Sequence, residues 1–345
     1  MTTATTKTKS SGLPAFDPAA PLLDVLDLKV EFRTREGNAH AVNGVSFSLE
    51  PGETLSILGE SGSGKSVTAQ AIMGIVDSPP GYITGGEVRY RGVDLLKLPE
   101  QQRRRVRANN IAIVFQDSLS ALNPVFTVGF QLAEQFRVHR GMSRGDAYKR
   151  AVELMDLVRI PAAADRVKDY PHQFSGGMRQ RVMIAMSLAL DPDILIADEP
   201  TTALDVTVQA QIMKLLAELQ RERQMGLILI THDMGVVANV ADRIAVMYAG
   251  RVVESAPVRE IYARPSHPYT KALLESVPRV DQKGQELAVI KGLPPTLTAI
   301  PDGCAFNPRC RYAQDVCRQP PPPPLHEVNA EHASACHFWE EVRGQ

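Results

Sequence analysis

From Leu22 onward, apolar and polar positions alternate in short runs. "LLDVLDLKVEF", "AVNGVSFSLE" and "TLSILG" each read as a β-strand. Residues 66–75 then predict a helix, and "GGEVRYRG" a further strand. A second block of strands and helices begins at "DILIADEP" (193–200) and continues through "GLILITHD" (226–233) and "RIAVMYAGRVVE" (243–254). Between the two blocks, residues 127–190 carry apolar residues three and four apart, as in "QLAEQFRVHR", "GDAYKRAVELMDLV" and "GMRQRVMIAMSLAL". The order predicts an α/β core built on a mainly parallel sheet and interrupted by a helical insertion. Past about residue 256 the chain turns Pro-rich and loop-rich, and "QPPPPPLH" favours an extended polyproline segment. Ahead of Leu22, "MTTATTKTKSSGLPAF" reads as a flexible Thr/Ser/Lys tail without the apolar core of a secretory signal. No internal repeat is visible.

Composition narrows the function classes. A formal net charge of −1 over 345 residues argues against a nucleic-acid binder. The one basic run, "RRRVR" (103–107), reads as a solvated helix face. No apolar run approaches the ~18 residues that span a bilayer. The expectation is a cytoplasmic chain with reduced thiols, reaching a membrane only through a partner.

The chemistry concentrates in two stretches. "GESGSGKS" (59–66) follows the strand "LSIL" and opens a helix, fitting the phosphate-loop pattern G-x-x-x-x-G-K-[ST]. Gly59, Glu60, Ser61, Gly62, Ser63, Gly64 and Lys65 would curl backbone N–H groups toward phosphate oxygens at a helix N-terminus. Lys65 would bridge the β- and γ-phosphates, and the Ser66 hydroxyl would ligate Mg²⁺. "ILIADEP" (194–200) delivers two carboxylates at the end of a buried strand. Asp198 would hold Mg²⁺, and Glu199 would take a proton from, or orient, the attacking water.

With these stretches in place the chain resembles the ATPase subunits of ABC transporters. "FSGGM" (174–178), with Gln180 two residues on, resembles that family's signature, departing from the commoner form at its first and last positions. The resemblance implies that Ser175, Gly176, Gly177 and Met178 clamp the nucleotide of a partner subunit in a head-to-tail pair. It implies further that Gln116 in "IVFQDS" senses Mg²⁺, that Asp205 in "TALD" crosses the dimer interface, and that His232 in "LITHD" contacts the γ-phosphate. Phe32, ending "LKVEF", would lie against adenine, and Val67 stands where many relatives carry a hydroxyl, leaving its backbone N–H as the contact.

The implied fold is a P-loop NTPase of the α/β class, with a RecA-like core, an ABC β-subdomain, a helical subdomain and a loop-rich C-terminal extension. The expected boundaries are a tail at 1–21, an ATPase domain at 22–255 with its helical subdomain at about 117–190, and the extension at 256–345. "GESGSGKSVT", "FQDSLSALNP" and "HPYTKALLESVPR" (267–279) resemble the dipeptide/oligopeptide permease branch, which also contains nickel importers. That branch implies ATP and Mg²⁺ as cofactor and substrate. It implies a second ATPase subunit, a paralogue in a heterodimer or an identical copy. It also implies two transmembrane permease subunits, an extracytoplasmic binding protein, and a peripheral place on the cytoplasmic face of the inner membrane. A non-transport ATPase of the same family, acting on ribosomes or DNA, is the alternative. The single phosphate loop and the lack of a long coiled coil speak against it.

All four cysteines, Cys304, Cys310, Cys317 and Cys336, fall in the last 42 residues, spaced C-x5-C-x6-C-x18-C. Structural zinc is the ordinary reading of four cysteines, but the short knuckles it favours are missing. The resemblance implies a [4Fe–4S] cluster on these thiolates, with His326, His332 and His337 nearby as possible substitutes. On that expectation the metal folds an extension that cannot fold itself.

Overall fold

The computed structural model describes residues 14–116, 121–202, 204–277 and 289–344. Most of the N-terminal tail, part of "FQDSLSALNP" and the end of "HPYTKALLESVPR" lie outside the described residues. In chain order the strands are β1 (Leu23–Thr34), β2 (Gly37–Leu49), β3 (Thr54–Leu58), β4 (Gly81–Tyr90), β5 (Val93–Asp94), β6 (Ile111–Val114), β7 (Ile194–Asp198), β8 (Gly226–Thr231), β9 (Arg243–Tyr248), β10 (Arg251–Pro257), β11 (His326–Asn329) and β12 (His332–Ser334). The α-helices are α1 (Lys65–Met73), α2 (Glu100–Asn109), α3 (Val128–Arg140), α4 (Arg144–Leu157), α5 (Ala163–Arg166), α6 (Gly176–Leu188), α7 (Val206–Arg223), α8 (Met234–Val237), α9 (Val258–Ala263), α10 (Pro268–Glu275) and α11 (Trp339–Arg343). None of them is long and apolar enough to cross a membrane.

Among the described residues the strands form two sheets. An antiparallel sheet runs β2-β1-β4-β5, and a mixed sheet runs β11-β12-β10-β9-β3-β8-β7-β6. In the mixed sheet β6, β7, β8, β3 and β9 are parallel. Their sequences explain the placement. β7 (ILIAD) and β8 (GLILIT) are buried at every position, as strands covered on both faces must be. Successive side chains serve two cores. Ile194, Ile196, Ile228 and Ile230 pack toward α1 and the antiparallel sheet. Leu195, Ala197, Leu227 and Leu229 pack toward the helical insertion.

That insertion holds α3 to α6, with Thr127, Ser143 and Ser175 as N-caps. The basic run on α2 is absorbed locally. Arg103, Arg104 and Arg107 all pair with Glu100. Arg107 also donates to the Met73 and Gly74 carbonyls at the end of α1.

"RIAVMYAGRVVE" is a hairpin, because Ala249 and Gly250 take φ values of 46° and 78° and reverse the chain between β9 and β10. The extension is also no separate loop unit. β12 pairs antiparallel with β10 through Glu254↔Ser334 and Ser255↔Ala333, so the chain's end completes the ATPase sheet. Tyr269 and Phe306 enter the main core directly, their ring centroids 5.3 Å apart. Buried Glu254 anchors the joint. It accepts from the backbone N–H of Ser266 (2.5 Å) and His267 (3.1 Å), and its Oε1 lies 2.8 Å from Nε2 of buried His332.

Candidate nucleotide-binding and hydrolysis site

Because β3, β6, β7 and β8 are parallel, the segments following them emerge along one edge of the sheet. Ligands bind at that carboxyl edge in open α/β sheets. Here it gathers the phosphate loop after β3, Gln116 after β6, Asp198 and Glu199 at the end of β7, and His232 after β8. A cleft of about 1050 Å³ lies against it, lined by Gly59, Glu60, Ser61, Gly62, Gly64, Lys65, Ser66 and Val67 of the loop together with Gln116, Glu199 and His232.

The loop requires its glycines. A Cβ on Gly59 would sit 2.2 Å from the Met247 carbonyl, and one on Gly64 2.2 Å from the Ala41 carbonyl. Both residues also hold positive φ, of 156° and 102°. Gly64 sits at the N-cap of α1 without a side-chain cap, so the helix presents free N–H groups toward the cleft.

Lys65 is buried, and its Nζ turns back to donate to the Gly59 carbonyl (2.8 Å) and the Glu60 carbonyl (3.0 Å). Burial pulls its pKa down, and the charges of Glu199, Asp198 and Glu60 oppose that pull. Ser66 Oγ donates to Asp198 Oδ1 at 3.0 Å. Burial pushes the Asp198 carboxyl up, the Ser66 hydrogen bond works against this, and the neighbouring Glu199 adds to it. The residues present fit a magnesium nucleotide. A hydroxyl and a carboxylate form a hard oxygen pair, Lys65 supplies a buried cation, and the buried Ser63 Oγ lacks a hydrogen-bond partner among the described residues.

Glu199 is the most constrained side chain at this edge. Its φ of 45° is uncommon for a non-glycine residue. Oε2 accepts from Gln116 Nε2 (2.8 Å) and from Thr202 Oγ1 (3.0 Å), while Oε1 lies 3.2 Å from His232 Nδ1. His232 itself is 62% exposed, free to reach into the cleft. The sequence marks Thr202 only as the first residue of "TALD", and not as a partner of Glu199, although it sits three residues beyond it where a tight turn would return it.

The serine-glycine stretch lies elsewhere. Ser175 Oγ caps α6 by accepting from the Met178 N–H (3.3 Å), and Asp205 caps α7 by accepting from the Val208 N–H (2.9 Å). The two helix starts touch. A Cβ on Gly177 would lie 2.5 Å from Val208 Cγ1, and one on Gly176 3.4 Å from Leu204 Cδ2. Ser175, Gly176, Gly177, Met178 and Asp205 are not among the residues lining the chain's own phosphate cleft. Phe32 is not brought to the cleft either. It is half-buried against the core between α1 and the antiparallel sheet, because Gly81 of β4 opens a gap that its ring fills. Besides Leu58 and Met234 of the core, unexpected walls come from Ala41 and from the extension, through Leu273, Ser276, Ile290, Pro294 and Leu297.

The iron–sulfur expectation is overturned. Cys304, Cys310, Cys317 and Cys336 are free thiols that line one small cavity of about 10 Å³, room for about one water. Among the described residues, no group of three or more His, Cys, Asp or Glu side chains is arranged to hold a metal ion. Burial pushes Cys310 up to about 11 and Cys336 up to about 12. Of the histidines named as substitutes, His332 is engaged by Glu254 and Arg343. The clustered cysteines pack as small apolar side chains beside Phe306 and Phe338. Zinc loses its support on the same geometry.

Residues 42–202 match the ABC transporter family, and residues 253–317 match the oligopeptide/dipeptide transporter C-terminal region. A dimeric ATP-binding cassette in a post-hydrolysis state, bound to ADP and Pi, superposes with a TM-score of 0.62 at 30% identity, covering 69% of this chain and 99% of that one. A cassette subunit of a Clostridium perfringens ABC transporter complex gives 0.61 at 29% identity, over 70% and 91% of the two chains. The chain belongs to the ABC transporter ATP-binding family, and ATP with Mg²⁺ is what such a cassette uses. Within that family it is 52% identical over 305 residues to the oligopeptide transport ATP-binding protein OppD of Salmonella typhimurium, spanning 88% of this chain and 90% of the relative. OppD of Bacillus subtilis is 53% identical over 90% and 87% of the two chains. A peptide import ATP-binding protein of Brucella melitensis is 50% identical over 93% and 98%.

Proposed function

We propose that this chain is the ATP-hydrolysing subunit of an ABC importer for di- or oligopeptides. The observation that carries the hydrolytic part is Glu199, fixed by Gln116, Thr202 and His232 at the same sheet edge as Lys65 and the Ser66–Asp198 pair. Lys65 leaves the Gly59 and Glu60 carbonyls for the terminal phosphates of ATP. Ser66 and Asp198 would hold Mg²⁺, which when bound would neutralise phosphate charge. Glu199 takes the proton of the attacking water, while Gln116 and His232 orient water and γ-phosphate.

The separate position of Ser175, Gly176, Gly177 and Asp205 supports a second cassette arranged head to tail, whose nucleotide would meet these helix starts. The peptide cargo rests on the oligopeptide and peptide-import relatives and on the matched C-terminal region. In this reading the pair drives two permease subunits from the cytoplasmic face, fed by an extracytoplasmic binding protein. The test is uptake of a labelled peptide in cells lacking this chain. The intact chain restores uptake and Lys65→Ala does not. Restoration of nickel uptake alone, or of neither, refutes the peptide reading.

A further inference from the structure

Glu60 stands in the middle of the phosphate loop, yet residues far along the chain hold it. Arg309, in the extension, places Nη1 2.6 Å from Glu60 Oε2 and Nη2 2.9 Å from Glu60 Oε1, a two-pronged ion pair across 249 residues of sequence. The Arg309 side chain is only 4% exposed. Its guanidinium lies against the rings of both Tyr248 and Phe306, at 5.8 and 5.9 Å, and its Nη1 donates to Tyr248 Oη at 3.3 Å. The Glu60 backbone N–H donates to Tyr269 Oη at 2.8 Å. Tyr269 is placed by its own motif: in "HPY", His267 Nδ1 accepts from the Tyr269 N–H (3.1 Å) and Pro268 opens α10. The Glu60 carbonyl meanwhile accepts from Lys65. One loop residue is thus gripped at its side chain and N–H by the extension, and at its carbonyl by the lysine that must move to the phosphates.

We infer that Arg309 and Tyr269 are positioning residues for ATP binding. Through Glu60 they hold the phosphate loop in its receptive shape, so the extension sets nucleotide affinity without touching the reacting atoms. When Lys65 releases the Glu60 carbonyl, the two extension contacts keep the loop from following it. Arg309 is matched to the task because its planar fork satisfies both carboxylate oxygens at once, which Lys cannot do. The inference rests on the nucleotide reading and not on the peptide cargo.

The test measures binding of a fluorescent ATP analogue with Mg²⁺ to the full-length chain, then KM and kcat in the assembled transporter. Arg309→Ala is expected to weaken binding and raise KM about tenfold with kcat within about twofold, and Arg309→Lys to recover part of that loss. Glu60→Ala combined with Arg309→Ala is expected to be no worse than either single change. Arg311→Ala serves as the control, since Arg311 pairs with Glu275 within the extension and does not touch the loop. Wild-type affinity in Arg309→Ala overturns the inference while leaving the nucleotide site standing, provided Lys65→Ala still loses binding. An equal loss in Arg311→Ala also overturns it, because the effect is then general loosening of the extension. No nucleotide binding by the unmodified chain overturns both readings.

Discussion

Replacing Glu199 by Gln changes one atom's protonation chemistry and almost nothing in the packing. In the native site Oε2 accepts from Gln116 and Thr202, and Oε1 faces His232 Nδ1. A glutamine can turn its carbonyl oxygen toward Gln116 and Thr202, keeping both bonds, and donate its amide N–H to an unprotonated His232 Nδ1. The fold and ATP affinity are therefore expected to stay within about twofold of wild type. What disappears is the acceptor for the water proton. A positioned general base contributes about 10²–10⁴ in rate, or about 2.7–5.4 kcal/mol of barrier at ~1.36 kcal/mol per decade. Steady-state ATP turnover of the assembled transporter, set beside equilibrium ATP binding, separates the two effects. The variant is expected to bind nucleotide, accumulate as a nucleotide-sandwiched pair, and turn over at least about a hundredfold slower. Turnover within about tenfold of wild type would show that another group accepts the proton.

Other perturbations test the remaining parts. Lys65→Ala removes the buried ammonium that faces the loop carbonyls, so ATP affinity in the isolated chain is expected to drop by at least tenfold; an unchanged Kd refutes the phosphate-loop assignment. Ser175→Ala removes the α6 cap, costing about 1 kcal/mol of stability, and is expected to slow hydrolysis only in the assembled pair while leaving ATP binding by the lone chain intact. Gly177→Asp is a poorer test of the trans contact, because its Cβ would strike Val208 at 2.5 Å. His267 supplies a pH dependence: burial lowers its pKa from 6.5 to about 3. The unfolded chain therefore binds a proton below pH 6.5 that the folded chain refuses, and stability falls on acidification. At pH 5 this amounts to about 2 kcal/mol at ~1.36 kcal/mol per pH unit. His267→Asn, which can still cap α10, is expected to flatten the Tm decline between pH 6.5 and 5; an unchanged slope refutes the assignment.

The parallel core was legible because β3, β7 and β8 are short apolar runs with chemistry at their carboxyl ends, a local pattern that periodicity and motif spacing both report. The helical insertion was legible for the same reason. The extension was not. β11 (HEVN) and β12 (HAS) are too short for an alternation to register, and β12 pairs with β10 only through tertiary context, with β11 added beyond it. Tyr269 belongs to a motif visible in the sequence, but its hydroxyl's partner lies 209 residues away. Phe32 was read from its place at a strand end, and packing against Gly81 took it elsewhere. The cysteines cluster in the sequence, but spacing alone does not reveal that they sit as buried and half-buried thiols around a space for about one water.

The pairing of β12 with β10 also decides how this protein is made. A nascent chain that has emerged only as far as Pro257 already owns its phosphate loop, both carboxylates and His232, yet β10 then offers a bare row of backbone donors and acceptors along one side. Such a side recruits strands from other chains. Only when Ala333 and Ser334 arrive, well behind β10, is that row occupied from within. A cassette cut back to its catalytic residues would therefore keep its chemistry on paper and lose its solubility in the tube. Deletion experiments on the extension must separate self-association from any effect on ATP.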